Sequence, residues 1–259
     1  MPDYFREYLK IAPLSHALWR ANEAYEVEKI RFHPPILDLG CGFGEFAGVF
    51  FDSRIEMGAD ISREEIFQAI KSGKYKEVLE ADARNLPFSE GSFSTVISIS
   101  TLEHIEDVEK VFPEVYRVLR KGGLFIFTVP TIEVYNQMLF PTLFKKLSLN
   151  PLADLYCRLY DRSFKHKSMY PAETWKKMAK DVGFEITHLQ GTLSPKAIVV
   201  FELFLPLALP TQFFKAFLGK RLPLSPKWRV ALLHKWFKSL TTQRDKSESN
   251  TLIVARKTR

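Results

Sequence analysis

Cysteine is nearly absent from this 259-residue sequence, which contains only Cys41 and Cys157, far apart in the chain. Two distant thiols supply neither a disulfide framework nor the spacing of a zinc site, and such scarcity is typical of a reducing compartment. The stretch MPDYFREYLKIAPLSHALWR is mixed in charge and lacks the basic lead and apolar run of a secretion signal. We therefore expect a cytoplasmic protein without structural disulfides.

A long uninterrupted apolar run is also missing. The most apolar stretch begins at Ala197, but Glu202, Pro206 and Pro210 interrupt it, so it is too short and broken to span a bilayer. Apolar residues nevertheless make up 46% of the chain, which at this length is enough to build a full hydrophobic core. The composition excludes a disordered chain and a protein with several membrane spans.

Acidic residues are absent from 203–244, although the whole chain contains 30 of them and carries a net charge of +7. Basic residues are interleaved there with Phe and Trp: Lys215, Lys220, Arg221, Lys227, Arg229, Lys235, Lys238 and Arg244. The sequences TQFFKAFLGKRL and PKWRVALLHKWFKSL predict amphipathic helices of the kind that lie in a membrane interface. A lid packed on the core remains an alternative. Nucleic acid is the least favoured partner, because the segment is more apolar than a phosphate-binding groove requires.

Predicted strands and helices alternate from Pro34 to Pro130, which indicates a parallel, doubly wound sheet. The first strand runs into ILDLGCGFGEF, where Asp38 is followed by Gly40, Gly42 and Gly44. Glycines so close together allow positive φ angles or a close approach of the backbone to a ligand. A loop between a strand and a helix N-terminus is where open α/β sheets bind ligands.

Acidic side chains at the ends of the next two predicted strands complete a pattern suited to adenosine. Asp60 can accept hydrogen bonds from both ribose hydroxyls, and Asp82 can accept one from an adenine amino group. A helix cap at Asp60 and a turn at Asp82 are the structural alternatives. A dinucleotide is disfavoured, because the third glycine comes one residue early and Glu45 and Asp38 would repel a pyrophosphate. An ammonium group is compatible with Asp38, which favours S-adenosylmethionine over NAD.

Four segments in order resemble the motifs of class I S-adenosylmethionine-dependent methyltransferases, in the type 11 group that includes the quinone-biosynthesis enzymes. They are ILDLGCGFGEF, GADIS, EADARNLPFSEGSFSTVISISTLEHIED and VYRVLRKGGLFIFTVP, and the likeness resumes at YPAETWKKMAKDVGFEI. The resemblance implies S-adenosyl-L-methionine as the cofactor. Together with the strand-end argument it gives these cofactor-binding residues: Asp38, Gly40, Cys41, Gly42, Asp60, Ile61, Asp82, Ala83, Ser100, Thr101 and Leu102.

The same resemblance implies a Rossmann-like α/β fold. We expect a mostly parallel seven-stranded sheet with an antiparallel last strand, and helical insertions after strand 5 and between strands 6 and 7. A single domain over 1–259 would contain N-terminal helices at 1–33, a cofactor-binding core at 34–130, a helical insertion at 131–169, a helix and strand 6 at 170–192, a basic aromatic insertion at 195–247 and strand 7 at 250–257.

Methyl transfer from a sulfonium is an in-line displacement, so positioning of the acceptor can supply much of the rate. An oxygen or carbon acceptor also requires a base, and His104 in TLEHIED is the candidate. Packing at the start of the next helix is its structural alternative. Related families bind a metal at a Glu-x-x-Glu-His stretch, but Ser100 replaces the first Glu here, leaving only Glu103 and His104, so we expect no metal.

The acceptor is expected to be a hydrophobic or lipid-linked small molecule. Tyr135, His166 and Tyr170 are candidate substrate contacts, with packing of the surrounding loops as the alternative. The basic aromatic insertion predicts contact with a membrane surface through 198–240, and so a peripheral position on the cytoplasmic face. Two other functions stay open at this point: an NAD-type oxidoreductase on a similar sheet, and a non-catalytic membrane-surface protein that retains the pocket.

Overall fold

A computed structural model describes residues 2–218, 222, 225–243 and 245–258, without the side chains of 209, 210 and 212–218. Part of the predicted amphipathic pattern therefore lies outside the description: the side chains of Phe213, Phe214, Lys215 and Phe217, and the whole of Lys220, Arg221 and Arg244.

A seven-stranded mixed sheet confirms the predicted fold class. Its strands are β1 Ile36–Leu39, β2 Ile55–Asp60, β3 Tyr75–Glu80, β4 Phe93–Ile99, β5 Leu119–Pro130, β6 Phe184–Leu193 and β7 Ser247–Lys257. The spatial order is β3-β2-β1-β4-β5-β7-β6, and the neighbouring pairs among the first five strands are parallel. The carboxyl ends of β1, β2 and β4 consequently meet at one edge of the sheet.

Helices occupy the positions expected between and before these strands. They are α1 Tyr4–Ile11, α2 Leu14–Val27, α3 Glu45–Phe50, α4 Arg63–Ser72, α5 Val111–Val118, α6 Val134–Gln137, α7 Leu139–Lys146, α8 Asn150–Phe164, α9 Ala172–Asp181, α10 Pro195–Leu218 and α11 Lys227–Phe237. Helices α6 to α8 form the insertion after β5, and α10 and α11 form the insertion between β6 and β7.

Several predicted boundaries differ from the structure. Strand 7 was expected at 250–257 but begins at Ser247. The third strand was expected to reach Asp82 but ends at Glu80, because Asp82 turns back to form an isolated bridge with Asn85. The helix before β5 was expected to continue to a Gly-Gly stop but ends at Val118. The glycine pair lies inside β5, where Gly122 has a φ of 77° and a Cβ at Gly123 would meet the Arg120 carbonyl at 2.8 Å.

The chain divides into two compact units, which we call the sheet unit and the helical unit. The sheet unit comprises Ile30–Ile132, Ser163–Gln190 and Thr251–Arg259. The helical unit comprises Met1–Lys29, Glu133–Arg162 and Gly191–Asn250, so both insertions pack with the N-terminal helices.

Aromatic side chains between helices and strands form the core of the sheet unit. Phe112 of α5 lies 6.0 Å from Phe125 and 5.8 Å from Phe127, measured between ring centroids. Trp175 of α9 is fully buried and lies 6.5 Å from Phe112. Phe125 and Phe127 are two residues apart in β5 and so share one face of the sheet. This contact fixes α5 and α9 on that face.

The helical unit is held together through α2 and α10. Trp19 packs on Phe201 with 4.9 Å between the rings, and the two helices lie side by side. The backbone of helix α10 continues through Pro206 and Pro210, the prolines that interrupt the apolar run in the sequence. The buried carboxylate of Glu202 accepts hydrogen bonds from the backbone N–H groups of Leu139 and Phe140 at the start of α7. Within the described residues, no helix is both long enough and apolar enough to cross a membrane.

Replacing Lys246 by Met is expected to destabilise the protein by about 3 kcal/mol, because it leaves the Glu26 carboxylate buried without its closest cation. The two side chains are 2.5 Å apart and expose only 6% and 4% of their surface. Lys29 contacts the same carboxylate but is 60% exposed, so Lys29→Met is the matched control and should cost less than about 1 kcal/mol. Urea unfolding measures both. Equal losses for the two variants would contradict the assignment of Lys246 as the stabilising partner.

Candidate functional site

The glycine loop after β1 lies so close to the segment after β4 that a side chain at Gly40 would collide with Thr101. Gly40, Gly42 and Gly44 have φ angles of 75°, 52° and 73°. A Cβ added at Gly40 would lie 2.0 Å from the Thr101 methyl carbon, and the Thr101 hydroxyl donates to the Gly40 carbonyl at 3.2 Å. Glycine is therefore required at position 40 both for its backbone angle and for this contact.

Asp60 holds the glycine loop from the end of β2. Its Oδ2 accepts a hydrogen bond from the Gly42 N–H at 2.8 Å, and its Oδ1 accepts one from the Ser62 N–H at 2.9 Å. The Ser62 hydroxyl caps α4 by accepting from the Glu65 N–H, as predicted. Each carboxylate oxygen can accept more than one hydrogen bond, so Asp60 retains capacity for two ribose hydroxyls. Ile61 is 65% exposed beside it and offers an apolar surface at this edge.

Asp38 lies beneath the loop with only 3% of its surface exposed. The Tyr75 hydroxyl, from the first residue of β3, donates to its Oδ2 at 2.7 Å. Burial and then the charge of Asp38 raise the pKa of the Tyr75 phenol, which therefore stays protonated and keeps donating. The sequence analysis missed Tyr75. The one hint in the sequence is Gly58 within β2. A Cβ there would lie 3.0 Å from the Tyr75 ring, so the glycine leaves room for that ring.

Cys41 is a small buried side chain within the loop. Only 7% of it is exposed, and burial followed by the charges of Asp38 and Asp60 raises the pKa of its thiol. A thiol that stays protonated is a poor nucleophile. Its environment therefore agrees with a filling role, and the contact of its backbone with a cofactor stays a prediction.

Asp82 and Ala83 follow β3, where an adenine was expected. Arg84 donates to the Asp82 carboxylate through its Nη2 at 2.8 Å and its Nε at 3.0 Å. Hydrogen bonds from Arg84 hold the pKa of Asp82 below its usual value. Ala83 is partly buried against the core of the sheet unit. The carboxylate is thus ionised and already paired, and its contact with adenine stays a prediction.

The segment after β4 closes the opposite side of the loop. Ser100 adopts a φ of 47°, an angle that non-glycine residues seldom take, and its N–H donates to the carbonyl and to the hydroxyl of Thr128 at 3.0 and 3.1 Å. Leu102 is fully buried. The strained turn directs Thr101 towards Gly40, which explains why these two positions touch.

His104 and His166, identified separately in the sequence, lie against one another. Their ring centroids are 5.5 Å apart in a stacked arrangement, and His166 stacks in turn on Phe164 at 5.6 Å. His104 Nδ1 is 3.4 Å from the Lys165 carbonyl oxygen, and its side chain is 41% exposed. We call Phe164, His166 and His104 the aromatic stack.

Backbone hydrogen bonds fix the aromatic stack to the segment after β4. The N–H groups of Lys167 and Ser168 donate to the Glu103 carbonyl at 2.7 and 3.0 Å. The Ser168 hydroxyl donates to the Ile105 carbonyl at 2.8 Å, and the Lys167 ammonium to Glu106 at 2.8 Å. His166 therefore keeps a defined position beside His104.

The two candidate tyrosines have partners of their own. Tyr170 packs edge to face on Trp175 at 5.5 Å within the sheet unit. Tyr135 belongs to the helical unit, where its hydroxyl donates to Asp161 at 2.7 and 2.8 Å and burial raises its pKa. Their contacts with an acceptor stay predictions. Among the described residues no group of three His, Cys, Asp or Glu side chains could hold a metal ion.

The charges around the loop fit a cationic tail and disfavour a pyrophosphate. Asp38 and Asp60 both face the glycine loop, and a Cβ at Gly42 would lie 2.9 Å from Glu65 Oε2. Carboxylates this close to the backbone would repel phosphate oxygens, whereas they attract an ammonium or a sulfonium. The residues present thus fit S-adenosylmethionine better than NAD.

Comparison with known proteins agrees with this geometry. The methyltransferase domain family model matches residues 37–127. A tRNA (carboxymethyluridine(34)-5-O)-methyltransferase of Arabidopsis thaliana is 37% identical over 135 residues, 49% of this chain and 32% of that protein. A ubiquinone/menaquinone biosynthesis C-methyltransferase of Pseudoalteromonas translucida is 26% identical over 68% of this chain and 76% of that protein.

The fold as a whole is also found among solved structures. A methyltransferase of Thermotoga maritima, described as a possible histamine N-methyltransferase, superimposes with a TM-score of 0.60 at 19% identity over 94% of this chain and 92% of that chain. This likeness concerns the fold alone. The chain spans 32%, 37% and 58% of the length of three curated relatives that it matches.

Asp60→Ala is expected to weaken binding of S-adenosylhomocysteine by about 2 to 4 kcal/mol, because the ribose loses charge-assisted hydrogen bonds and the loop loses its anchor. Isothermal titration calorimetry measures the affinity. Asp52→Ala removes an exposed carboxylate of the sheet unit and serves as the matched control, with unchanged affinity. An Asp60→Ala protein that binds as tightly as the wild type would show that the ribose lies elsewhere.

Proposed function

We propose that this chain, which belongs to the class I S-adenosylmethionine-dependent methyltransferases, methylates a hydrophobic or lipid-linked small molecule at oxygen or carbon. The cofactor supplies an electrophilic methyl group on a sulfonium, which an acceptor lone pair displaces in line. The observation that carries the proposal is the glycine loop, which Thr101 approaches from β4 and Asp60 anchors from β2.

The protein's own contribution is binding and orientation. The bare backbone at Gly40 and Gly42 would border the methionine part, with Asp38 beside its ammonium and Asp60 on the ribose. Hydrogen bonds from Asp60 and Thr101 hold the loop, which limits the ordering that binding requires. Positioning of this kind is the main source of rate in a displacement that needs no covalent intermediate with the enzyme.

The acceptor side is assigned to the aromatic stack. Phe164, His166 and His104 present aromatic surface next to the segment that closes the cofactor site. Such a surface suits a planar or apolar acceptor. The quinone-biosynthesis relative supports this class by its name, whereas the Arabidopsis relative acts on tRNA. Since the chain covers only 32% of that tRNA enzyme, the small-molecule acceptor is the one we propose.

His104 is proposed as the base. In this proposal its Nδ1–H donates to the Lys165 carbonyl, and Nε2, which lies 3.8 Å from Glu103 Oε1, accepts the proton from the acceptor. We also propose that the protein works in the cytoplasm at a membrane face, where a lipid-linked acceptor would be found. The scarcity of cysteine supports the cytoplasm, and the basic aromatic insertion supports the membrane face.

The direct test is ligand discrimination followed by product analysis. S-adenosylhomocysteine should raise the melting temperature and NADH should not, because the carboxylates around the loop exclude a pyrophosphate. Lipid extracts from cells with the gene should contain a species heavier by one methylene group than in cells without it. Stabilisation by NADH would favour the oxidoreductase. Binding of S-adenosylhomocysteine without any methylated product would favour the non-catalytic protein.

His104→Gln is expected to lower kcat by about a hundredfold or more, the usual contribution of a general base, with little change in cofactor affinity. His33→Gln is the matched control, because His33 precedes β1 and lies at the opposite edge of the sheet. Full activity of the His104→Gln protein would show that His104 only packs against His166.

A further inference from the structure

Two of the four tryptophans in the chain are exposed on one helix. Trp228 and Trp236 of α11 expose 69% and 63% of their surface, and Leu232 between them exposes 39%. The other two, Trp19 and Trp175, expose only 8% and 0%. Residues four apart lie in one line along a helix, so the three side chains form a single apolar track. Packing within the helical unit therefore leaves these apolar side chains uncovered.

Side chains beside and opposite this track fix α11 to the N-terminal helix. Arg229 donates to the carbonyls of Leu9 and Ala12 at 2.8 and 3.1 Å. His234 contacts the Asp3 carboxylate at 2.8 Å. These contacts set the rotation of α11 about its own axis. The track of Trp228, Leu232 and Trp236 is therefore held outward.

Lysines border the exposed track. Lys227 and Lys235 are exposed and precede Trp228 and Trp236 by one residue each, so they form a second line beside the first. No acidic residue occurs in 203–244 to offset them. Asp3 lies on the fixed side of α11, where His234 and Lys238 contact it at 2.8 and 3.1 Å. We call Lys227, Trp228, Leu232, Lys235 and Trp236 the tryptophan–lysine face.

We propose that the tryptophan–lysine face docks on an anionic lipid bilayer, with α11 lying in the plane of the interface. Tryptophan rings favour the headgroup region, and lysines are attracted by anionic lipid while their stems cover apolar surface. Leu232 at the centre of the track is apolar and would make no favourable contact with the phosphates of a nucleic acid. A second copy of the same face would bring like charges together. A bilayer satisfies all five side chains at once.

Docking would keep the enzyme at the surface in which a lipid-linked acceptor is dissolved. That consequence rests on the proposed function, whereas vesicle binding itself does not. The cofactor residues belong to the sheet unit and α11 to the helical unit. Affinity for S-adenosylhomocysteine therefore tests the cofactor site in the sheet unit, and vesicle binding tests the tryptophan–lysine face in the helical unit.

The test is co-sedimentation of the full chain with vesicles of equimolar phosphatidylcholine and phosphatidylglycerol at low salt. The wild type should pellet with these vesicles and stay in solution with phosphatidylcholine alone. Both Trp228→Ser/Trp236→Ser and Lys227→Glu/Lys235→Glu should weaken partitioning by about tenfold or more, because each basic residue adds severalfold to binding of anionic lipid. Matched controls change exposed residues of the sheet unit, Ile70→Ser and Lys121→Glu, and should bind vesicles like the wild type.

Tryptophan fluorescence gives an independent measurement. Lipids brominated in the acyl chain should quench the wild type, and the double tryptophan variant should lose that quenching while its two buried tryptophans still report the folded state. A protein that stays in the supernatant yet binds S-adenosylhomocysteine would overturn the inference and leave the proposed function intact. Salt-dependent RNA binding in place of vesicle binding would overturn it too, as would concentration-dependent self-association that the tryptophan variant abolishes.

Discussion

The contact between Gly40 and Thr101 is the constraint on which the site depends. Because no Cβ stands at position 40, the loop after β1 can lie against the turn after β4, and the Thr101 hydroxyl fastens the two. Asp60, at the end of β2, also holds the loop by accepting a hydrogen bond from the Gly42 N–H. Three neighbouring strand ends thereby become one rigid cradle made largely of backbone. The methyltransferase domain match at 37–127 contains all of these residues.

Charge decides which ligand the cradle suits. Asp38 is buried, yet it is satisfied by the Tyr75 hydroxyl, whose pKa is raised so that it donates throughout the physiological range. The loop is therefore bordered by negative charge and by neutral donors. Nucleotide sites on similar sheets bind a pyrophosphate at the helix N-terminus, where carboxylates would be repulsive. Sites for S-adenosylmethionine and for dinucleotides have the same sheet geometry, but they differ in the charges around the loop.

Sequence reasoning identified what is local or periodic. The end of β2 at Asp60, the glycine loop, the cap at Ser62 and the two insertions follow from positive φ, side-chain alternation and capping chemistry within a few residues. Tyr75 was missed because its partner Asp38 is supplied by a strand two places away in the sheet. The pairing of His104 with His166 was missed for the same reason, since only the folded backbone brings Lys167 to Glu103. Helix α10 runs through two prolines into TQFFKAFL, which the sequence pattern had assigned to a separate amphipathic helix.

A crystal structure of the protein with S-adenosylhomocysteine tests the central claim most directly. The account predicts ribose hydroxyls on the Asp60 carboxylate, the amino-acid tail along Gly40 to Gly42 near Asp38, and the sulfur facing the aromatic stack. A ligand bound away from the glycine loop, or a loop whose backbone is covered by protein, would contradict it.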